Sequence, residues 1–402
     1  LARLLGTDGY GAYALAIAWI ELLMLTATLG VESLMVREIA RLQELQPERS
    51  RSYALWSTKT VVVTSVTTAV IGGGVIVVLQ SSQAPDAVLV QIVALLLLPL
   101  WALTRIGQGI LRGVGRIYSG QVPESLLVPV IILGSVGLIS LTAVDLTPAV
   151  AMSLRLAGVA VALAAIAVIM WRSLPPGKVI RLPKVESRGL IRSALALVLI
   201  STIFLVATRT DIVMLGALAD LDAVGSYTVA SRGAGFLVFP FAALNIVLAP
   251  AIASLYAAGN RRQLQSVLTW GARFAFLAAL PIALGLVVFG SLFLDVFGEG
   301  FGIGLEPLRI LTVGSLVASA AGSTGLIMTM TGHETSAAKV VGLAAVVNIV
   351  LNLLLIPPFG SVGAAWATVI STNLWTIMLA WWVRRNLRID PSIVGRPPTA
   401  NS

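Results

Sequence analysis

Cysteine is absent from this sequence of 402 residues, and histidine occurs only once, as His333. The lack of thiols excludes disulfides, thiolate metal sites and cysteine nucleophiles, although it does not identify a cellular compartment. With a single imidazole, a metal cluster or a serine–histidine–aspartate hydrolase site is difficult to assemble. The nucleotide-binding pattern GxxxxGKS/T is also missing, which argues against ATP as the direct energy source.

Charged residues are scarce. They make up 11% of the chain, whereas hydrophobic residues make up 57%, and the mean hydropathy is +0.96. Soluble domains carry roughly 25% charged residues, so a chain with this composition must expose most of its surface to lipid. The net charge of +9 therefore indicates basic cytoplasmic loops of a membrane protein rather than binding to nucleic acid.

Eleven apolar runs are long enough to cross a bilayer as helices, which takes about 20 residues each. The sequence therefore predicts an all-α integral membrane protein. Prolines inside four of these runs are expected to kink the helices, at Pro99, Pro129, Pro240 and Pro281. The eleven runs are 10–32, 54–79, 87–111, 121–141, 148–171, 190–218, 223–249, 268–290, 307–330, 340–357 and 361–383.

Basic residues alternate between the segments that join these runs. Every second segment contains Lys or Arg, whereas the segments between them contain neither. Because cytoplasmic loops are enriched in Lys and Arg, the C-terminus is predicted to be cytoplasmic and the first residue of this sequence to lie outside. The basic segments lie near 37–59, 112–116, 172–192, 261–262, 339 and 384–396.

An internal repeat relates the two halves of the chain. The stretch DGYGAYALA at 8–16 matches DAVGSYTVA at 222–230, which lies 214 positions later. A repeat of this length contains six helices, and because six is an even number the two copies have the same orientation, a pattern found in transporters. The run 190–218 has no counterpart in the first half, so we expect the complete protein to have twelve spans, with eleven visible here and the first helix missing.

The repeat and the composition of the middle of the chain predict four parts. An N-terminal lobe without its first helix and a C-terminal lobe are joined by a basic, proline-containing cytoplasmic linker, and a cytoplasmic tail follows. Their bounds are 1–171 for the N-terminal lobe, 172–189 for the linker, 190–383 for the C-terminal lobe and 384–402 for the tail.

Four stretches resemble a known family. They are LARLLGTDGYGAYALA at 1–16, LGVESLMVREIAR at 29–41, RTDIVMLGALADLDAVGSYTVASR at 209–232 and NIVLNLLLIPPFGSVGAAWATVIS at 348–371. They are similar to segments of bacterial polysaccharide-biosynthesis flippases, which belong to the multidrug/oligosaccharidyl-lipid/polysaccharide exporter superfamily. The resemblance extends over essentially the whole chain.

The resemblance implies a non-enzymatic flippase of the bacterial cytoplasmic membrane with two six-helix lobes and alternating access. Its implied substrate is an oligosaccharide on a polyprenyl pyrophosphate, carried from the cytoplasmic to the outer leaflet for surface polysaccharide synthesis. The implied partners are this lipid-linked oligosaccharide, membrane lipids and polysaccharide assembly proteins, without nucleic acid. No cofactor is expected, and coupling to a proton or sodium gradient is left open.

Ionisable residues inside the predicted spans are the candidate site. Helix rise places five of them about 10–16 Å below the outer end of their spans, and leaves a sixth, Arg105, alone about 9 Å from the inner end of its span. Arginines grip phosphate oxygens in bidentate fashion, so we predict a cationic cavity between the lobes. The predicted substrate contacts are Arg209, Arg232, Arg155 and Arg105, and the groups predicted to couple an ion or to pair with an arginine are Asp211 and Glu21.

Several alternatives remain open. Arg209 and Arg232 can instead satisfy Asp211 and Glu21 as buried ion pairs. A multidrug or organic-cation exporter of the same superfamily needs an acidic or apolar cavity, and a glycan polymerase or ligase needs large outer loops, whereas the longest one here is 291–306. A structural relative with a degenerate cavity is a further alternative.

Two embedded amides lie four residues apart on one helix face, Asn348 and Asn352. They either hydrogen-bond to neighbouring helices or line the cavity.

Overall fold

The computed structural model describes residues 1–79, 85–139, 141, 146–177 and 182–395, and within these it describes side chains for all except 76–79, 85–88, 184, 192 and 195–208. This part of the chain consists of α-helices joined by short turns, and it contains no β-strand. The helices are α1 (Ala2–Thr28), α2 (Val31–Leu45), α3 (Ser50–Leu79), α4 (Pro85–Gly113), α5 (Ile117–Val122), α6 (Val128–Ile139), α7 (Pro148–Ser173), α8 (Lys184–Leu218), α9 (Leu221–Ala234), α10 (Val238–Ala257), α11 (Arg261–Val288), α12 (Gly290–Asp295), α13 (Leu305–Ser319), α14 (Thr324–Met330) and α15 (Glu334–Leu387).

Nine helical stretches among the described residues are long and apolar enough to cross a membrane. This confirms the predicted all-α membrane fold. One of them, α15, covers two predicted runs, and the backbone bends between these at Gly360, where φ is 54°. The predicted run 190–218 lies in α8, where the side chains of 195–208 fall outside the described residues. The total of twelve spans stays a prediction.

Two predicted runs contain irregular turns just before a proline. The run 223–249 is divided into α9 and α10 by a 3₁₀ turn at Gly235–Leu237, which precedes Pro240. Likewise a π-helical turn at Pro123–Leu127 joins α5 to α6 and precedes Pro129. A proline ring clashes with the carbonyl four residues earlier, which accounts for irregular backbone at these places.

The predicted continuous span 307–330 is wrong, because α13 ends at Ser319 and α14 begins only at Thr324. The turn between them contains Gly322 with φ 74°, and a Cβ atom there would lie 2.1 Å from the carbonyl oxygen of Pro391. A remote segment of the chain thus packs against the interruption. The apolar composition of the run gave no sign of this contact.

The segment that packs there follows the last helix. The backbone nitrogen of Ile393 donates to the oxygen of Ala320 at 3.0 Å. On α11, Arg273 donates to the carbonyl oxygens of Ile393 and Gly395, at 2.9 and 3.1 Å. Residues 388–395 of the predicted tail are therefore folded against the helices, and 396–402 lie outside the described residues.

The chain divides into two compact units. Unit 1 comprises Leu1, Arg3–Leu5 and Ala12–Leu205, and unit 2 comprises Ala2, Gly6–Gly11 and Val206–Ser402. This division falls within α8, whereas the lobe bounds at 171 and 190 stay predictions.

Unit 1 is built around α4, which packs against α2, α3 and α7. Small residues let helix backbones approach closely in membrane proteins. On α4, a Cβ atom at Gly109 would lie 2.7 Å from the carbonyl oxygen of Glu32 on α2. Glycine at this position thus sets the distance between the two helices.

In unit 2, α15 packs against α13 and α14, and α10 packs against α11. A buried apolar cluster joins α10, α11, α14 and α15 and includes Ile389 of the C-terminal segment. The members of this cluster are Leu248, Ile252, Leu264, Leu268, Ile327, Met328, Ala337, Leu379, Val383, Leu387 and Ile389.

Candidate functional site

Two of the predicted arginines meet at one indole in unit 1. The guanidinium carbon of Arg105 lies 5.8 Å from the ring centroid of Trp101, and that of Arg155 lies 5.0 Å from the same centroid. Trp101 is only 5% exposed. The prediction that Arg105 stands alone is therefore wrong, because an arginine side chain reaches across the depth that separates the two backbone positions.

A carboxylate that the sequence analysis did not single out fixes this indole. Trp101 Nε1 donates to Glu124 Oε1 at 2.8 Å, and Gln108 Nε2 donates to Glu124 Oε2 at 2.5 Å. Glu124 lies in the π-helical turn between α5 and α6. The signal that could have revealed it is that Glu124 is the single charged residue of the apolar run 121–141.

The spacing along α4 explains why these groups converge. Trp101, Arg105 and Gln108 stand four and three residues apart, so they share one face of the helix. Arg155 reaches the same indole from α7, which packs against α4.

The two guanidinium groups have few partners in the described part of the chain. Arg105 makes its contact with Trp101 and has no hydrogen bond or ion pair to any described residue. Arg155 Nη1 donates to the hydroxyl of Tyr13 at 3.4 Å, while its buried Nε has no described partner. A guanidinium carries five donors, so most of them stay available to an anion. With one carboxylate and two arginines, the cluster is cationic.

In unit 2 the predicted acid Asp211 is buried, at 7% exposure, and is held by hydroxyl groups. Its Oδ2 accepts hydrogen bonds from Tyr227 at 2.5 Å and from Thr368 at 3.3 Å. Its Oδ1 accepts from the backbone nitrogen of Ile212 at 2.9 Å. A carboxylate is thus embedded among neutral donors on α8, α9 and α15.

The polar contacts continue between the two halves of α15. Asn348 Nδ2 donates to Ser371 Oγ at 3.1 Å, and Asn352 Nδ2 donates to Asn348 Oδ1 at 3.0 Å. Both amides are almost fully buried. Of the two alternatives left open for them, hydrogen bonding within the helix packing is therefore confirmed.

The remaining predicted residues are divided between the units. Glu21 lies in unit 1, half-buried, whereas Arg209 and Arg232 lie in unit 2. Arg232 is exposed, and its guanidinium carbon lies 5.8 Å from the ring centroid of Tyr10. One cavity that collects Arg155, Arg209, Arg232, Asp211 and Glu21 stays a prediction. Among the residues described, no group of three His, Cys, Asp or Glu side chains is placed to hold a metal ion.

Two family models match long segments of this chain. A family model described as polysaccharide biosynthesis protein matches residues 1–256, and one described as MatE matches residues 193–354. The probable low-salt glycan biosynthesis flippase Agl15 of Haloferax volcanii is 26% identical over 174 residues, which is 43% of this chain and 37% of that protein.

A second relative in the same organism, the probable flippase AglR, is 29% identical over 171 residues, covering 42% of this chain and 36% of that protein. The matched region thus spans little more than a third of the length of either relative.

Solved structures share the fold over nearly the whole chain. An inward-facing multidrug resistance MATE family transporter of the MOP superfamily superposes with a TM-score of 0.78 at 17% identity, covering 95% of this chain and 93% of that one. The lipid II flippase MurJ, in an inward closed conformation, superposes with a TM-score of 0.73 at 15% identity, covering 95% and 83%. At such low identity these similarities show the fold alone.

Proposed function

Because this chain belongs to the polysaccharide biosynthesis protein family, we propose that it is a flippase for oligosaccharides linked to a polyprenyl diphosphate. It carries them from the cytoplasmic to the outer leaflet by alternating access, without breaking a covalent bond. We place it in a bacterial cytoplasmic membrane with a cytoplasmic C-terminus, where it serves surface polysaccharide synthesis together with assembly proteins. The two relatives in Haloferax volcanii that are named as probable flippases support this proposal.

The observation that carries the proposal is the pair Arg105 and Arg155 at Trp101. Both arginines belong to helices that qualify as membrane spans, and neither has a carboxylate partner among the described residues. Holding an unpaired charge inside a bilayer is costly, so such residues mark ligand pathways. A diphosphate supplies the negative charge that two guanidinium groups bind best.

The same observation disfavours an organic-cation exporter. The fold is shared with a multidrug transporter and therefore does not discriminate between the two functions. The charge of the site discriminates between them, because both arginines repel a cationic drug. The neighbouring carboxylate of Glu124 already accepts hydrogen bonds from Trp101 and Gln108.

We assign ion coupling to Asp211. A buried carboxylate held by two hydroxyl groups and a backbone nitrogen is a group whose charge is sensitive to the entry of a proton or a cation. The same geometry is compatible with a proton and with a sodium gradient, so the assay must apply each gradient separately.

Reconstitution into vesicles tests the function. A fluorescent polyprenyl-diphosphate sugar is loaded in one leaflet, and its transfer is followed by quenching with and without proton and sodium gradients. We expect Arg105→Ala and Arg155→Ala each to slow transfer about tenfold or more, and Arg209→Ala and Arg232→Ala to reduce it while the protein still inserts.

The matched control is Arg385→Ala, since Arg385 also lies over an indole, at 5.1 Å from the Trp381 centroid, but outside the site. This variant should transfer at the wild-type rate. Wild-type rates in all four site variants would contradict the proposal.

A further inference from the structure

Glu124 is the one described carboxylate that contacts the Trp101 cluster, and it contacts the indole rather than either arginine. Both of its oxygens accept hydrogen bonds, from Trp101 Nε1 and from Gln108 Nε2. It lies in the π-helical turn Pro123–Leu127, a rare backbone form that is frequently found at functional sites.

Glu124 accepts from the Trp101 ring and is itself held by Gln108, and this arrangement fixes the orientation of the ring. With its Nε1 held by Glu124, Trp101 cannot turn about its side-chain bonds without breaking a charge-assisted hydrogen bond. Arg105 and Arg155 both lie over this ring, so its orientation determines where the two guanidinium groups stand. At 5% exposure the indole has no free face on which a sugar ring could stack, so the cluster offers a ligand guanidinium donors.

We propose that Glu124 is a positioning residue that holds the Trp101 indole so that Arg105 and Arg155 together select a diphosphate over a monophosphate. Each phosphoryl group of the diphosphate takes one guanidinium, whereas a monophosphate satisfies only one of the two. The identity of the ligand rests on the function proposed above, but the selectivity is a property of unit 1 alone.

A purely electrostatic role for Glu124 makes the opposite prediction. If the carboxylate only offset positive charge, its neutralisation in Glu124→Gln would strengthen the binding of both anions, and of the more highly charged diphosphate at least as much as of the monophosphate. If it positions the indole, the same substitution replaces the charge-assisted hydrogen bond from Trp101 Nε1 with a weaker neutral one, so the ring is held less firmly and the diphosphate loses most of its advantage.

The test measures binding to the purified full chain in detergent by calorimetry, with farnesyl diphosphate and farnesyl phosphate as probes. The wild type is expected to bind the diphosphate at least about tenfold more tightly. Glu124→Gln and Trp101→Phe are expected to bring this preference to about threefold or less, mainly by weakening the diphosphate. Trp101→Phe keeps every charge and an aromatic ring, and removes the Nε1 donor.

Glu32→Gln is the matched control, because Glu32 on α2 pairs with Arg112 in the last turn of α4, contacts neither Trp101 nor the two arginines, and should leave the preference unchanged. A cooperative thermal unfolding transition is the check that each variant is folded. If Glu124→Gln does not fold, the binding preference of Trp101→Phe tests the proposal alone. A preference retained in Trp101→Phe, or tighter binding of both probes with an unchanged or larger preference in Glu124→Gln, overturns the proposal, as does a wild type without preference.

These outcomes are separate from those of the transfer assay. A wild type that transfers the lipid-linked sugar but binds both probes equally would leave the proposed function standing and remove this inference. A wild type that prefers the diphosphate but does not transfer the lipid-linked sugar would support this inference and contradict the proposed function.

Discussion

The hydroxyl of Tyr227 donates a hydrogen bond of 2.5 Å to the buried carboxylate of Asp211. Its counterpart in the sequence repeat, Tyr13, accepts a hydrogen bond from Arg155 at 3.4 Å instead. Equivalent tyrosines thus serve an acid in unit 2 and a base in unit 1. This difference fits a division of labour in which one unit holds the anionic substrate and the other responds to the coupling ion.

Removing the two hydroxyl groups should therefore have unequal effects. Tyr227→Phe leaves a buried carboxylate short of its nearest donor, which costs about 1.5–3 kcal/mol for a hydrogen bond to a charged group. Tyr13→Phe removes the 3.4 Å hydrogen bond from Arg155, not a contact of Asp211, and should leave the response to the ion gradient unchanged. Thermal unfolding in detergent measures the first effect, and the dependence of transfer on the ion gradient should weaken in Tyr227→Phe alone. Equal behaviour of the two variants would contradict this assignment.

The membrane fold was predictable because it depends on length and hydropathy, which are local. Runs of about 20 apolar residues must form helices in lipid, where every backbone group needs an internal partner. The interruption between α13 and α14 was not predictable, because its cause is a contact of Gly322 with Pro391, 69 residues further along the chain. Hydropathy contains no information about such a contact.

The residue types of the site were predictable from the sequence, but which of these residues lie close together was not. Charged residues inside the apolar runs pointed to Arg105 and Arg155. The same criterion points to Glu124, which is the single charged residue of the run 121–141. The predicted depths of the two arginines differ because they were calculated from backbone positions, and the length of an arginine side chain was not taken into account. That Trp101 brings them together depends on the packing of α7 against α4, which a single sequence does not specify.

A pH dependence is expected at the C-terminal segment, outside the membrane spans. Burial raises the pKa of Asp390, but hydrogen bonds from Arg384 and Ser392 outweigh it, so its pKa lies below the ordinary 3.8. A carboxylate with a lowered pKa contributes stability above its ordinary value and loses it as the pH falls through the folded value. Arg384 and Asp390 are 52% and 27% exposed, so the contribution is below about 1 kcal/mol.

A comparison of the unfolding temperatures of the wild type and Asp390→Asn should reveal the contribution of Asp390 to stability. At about pH 7 the variant should unfold at a slightly lower temperature, and the gap should close as the pH falls towards about 3. Asp295→Asn, at an exposed position on α12, serves as the control and should show no such gap. A gap that widens in acid would mean that the sign of the shift at Asp390 is wrong.

Gly322→Ala tests how residues 388–395 pack against the turn between α13 and α14. The new methyl group would meet the carbonyl oxygen of Pro391 at 2.1 Å, and φ at this position is 74°, which side chains rarely adopt. We expect a loss of about 1–3 kcal/mol and a release of residues 388–395. Gly325→Ala is the matched control, since it is helical and its Cβ atom would meet nothing within 4 Å. Hydrogen exchange of the 388–395 backbone should accelerate in the first variant and stay unchanged in the second, because Gly322 borders Pro391 whereas Gly325 does not.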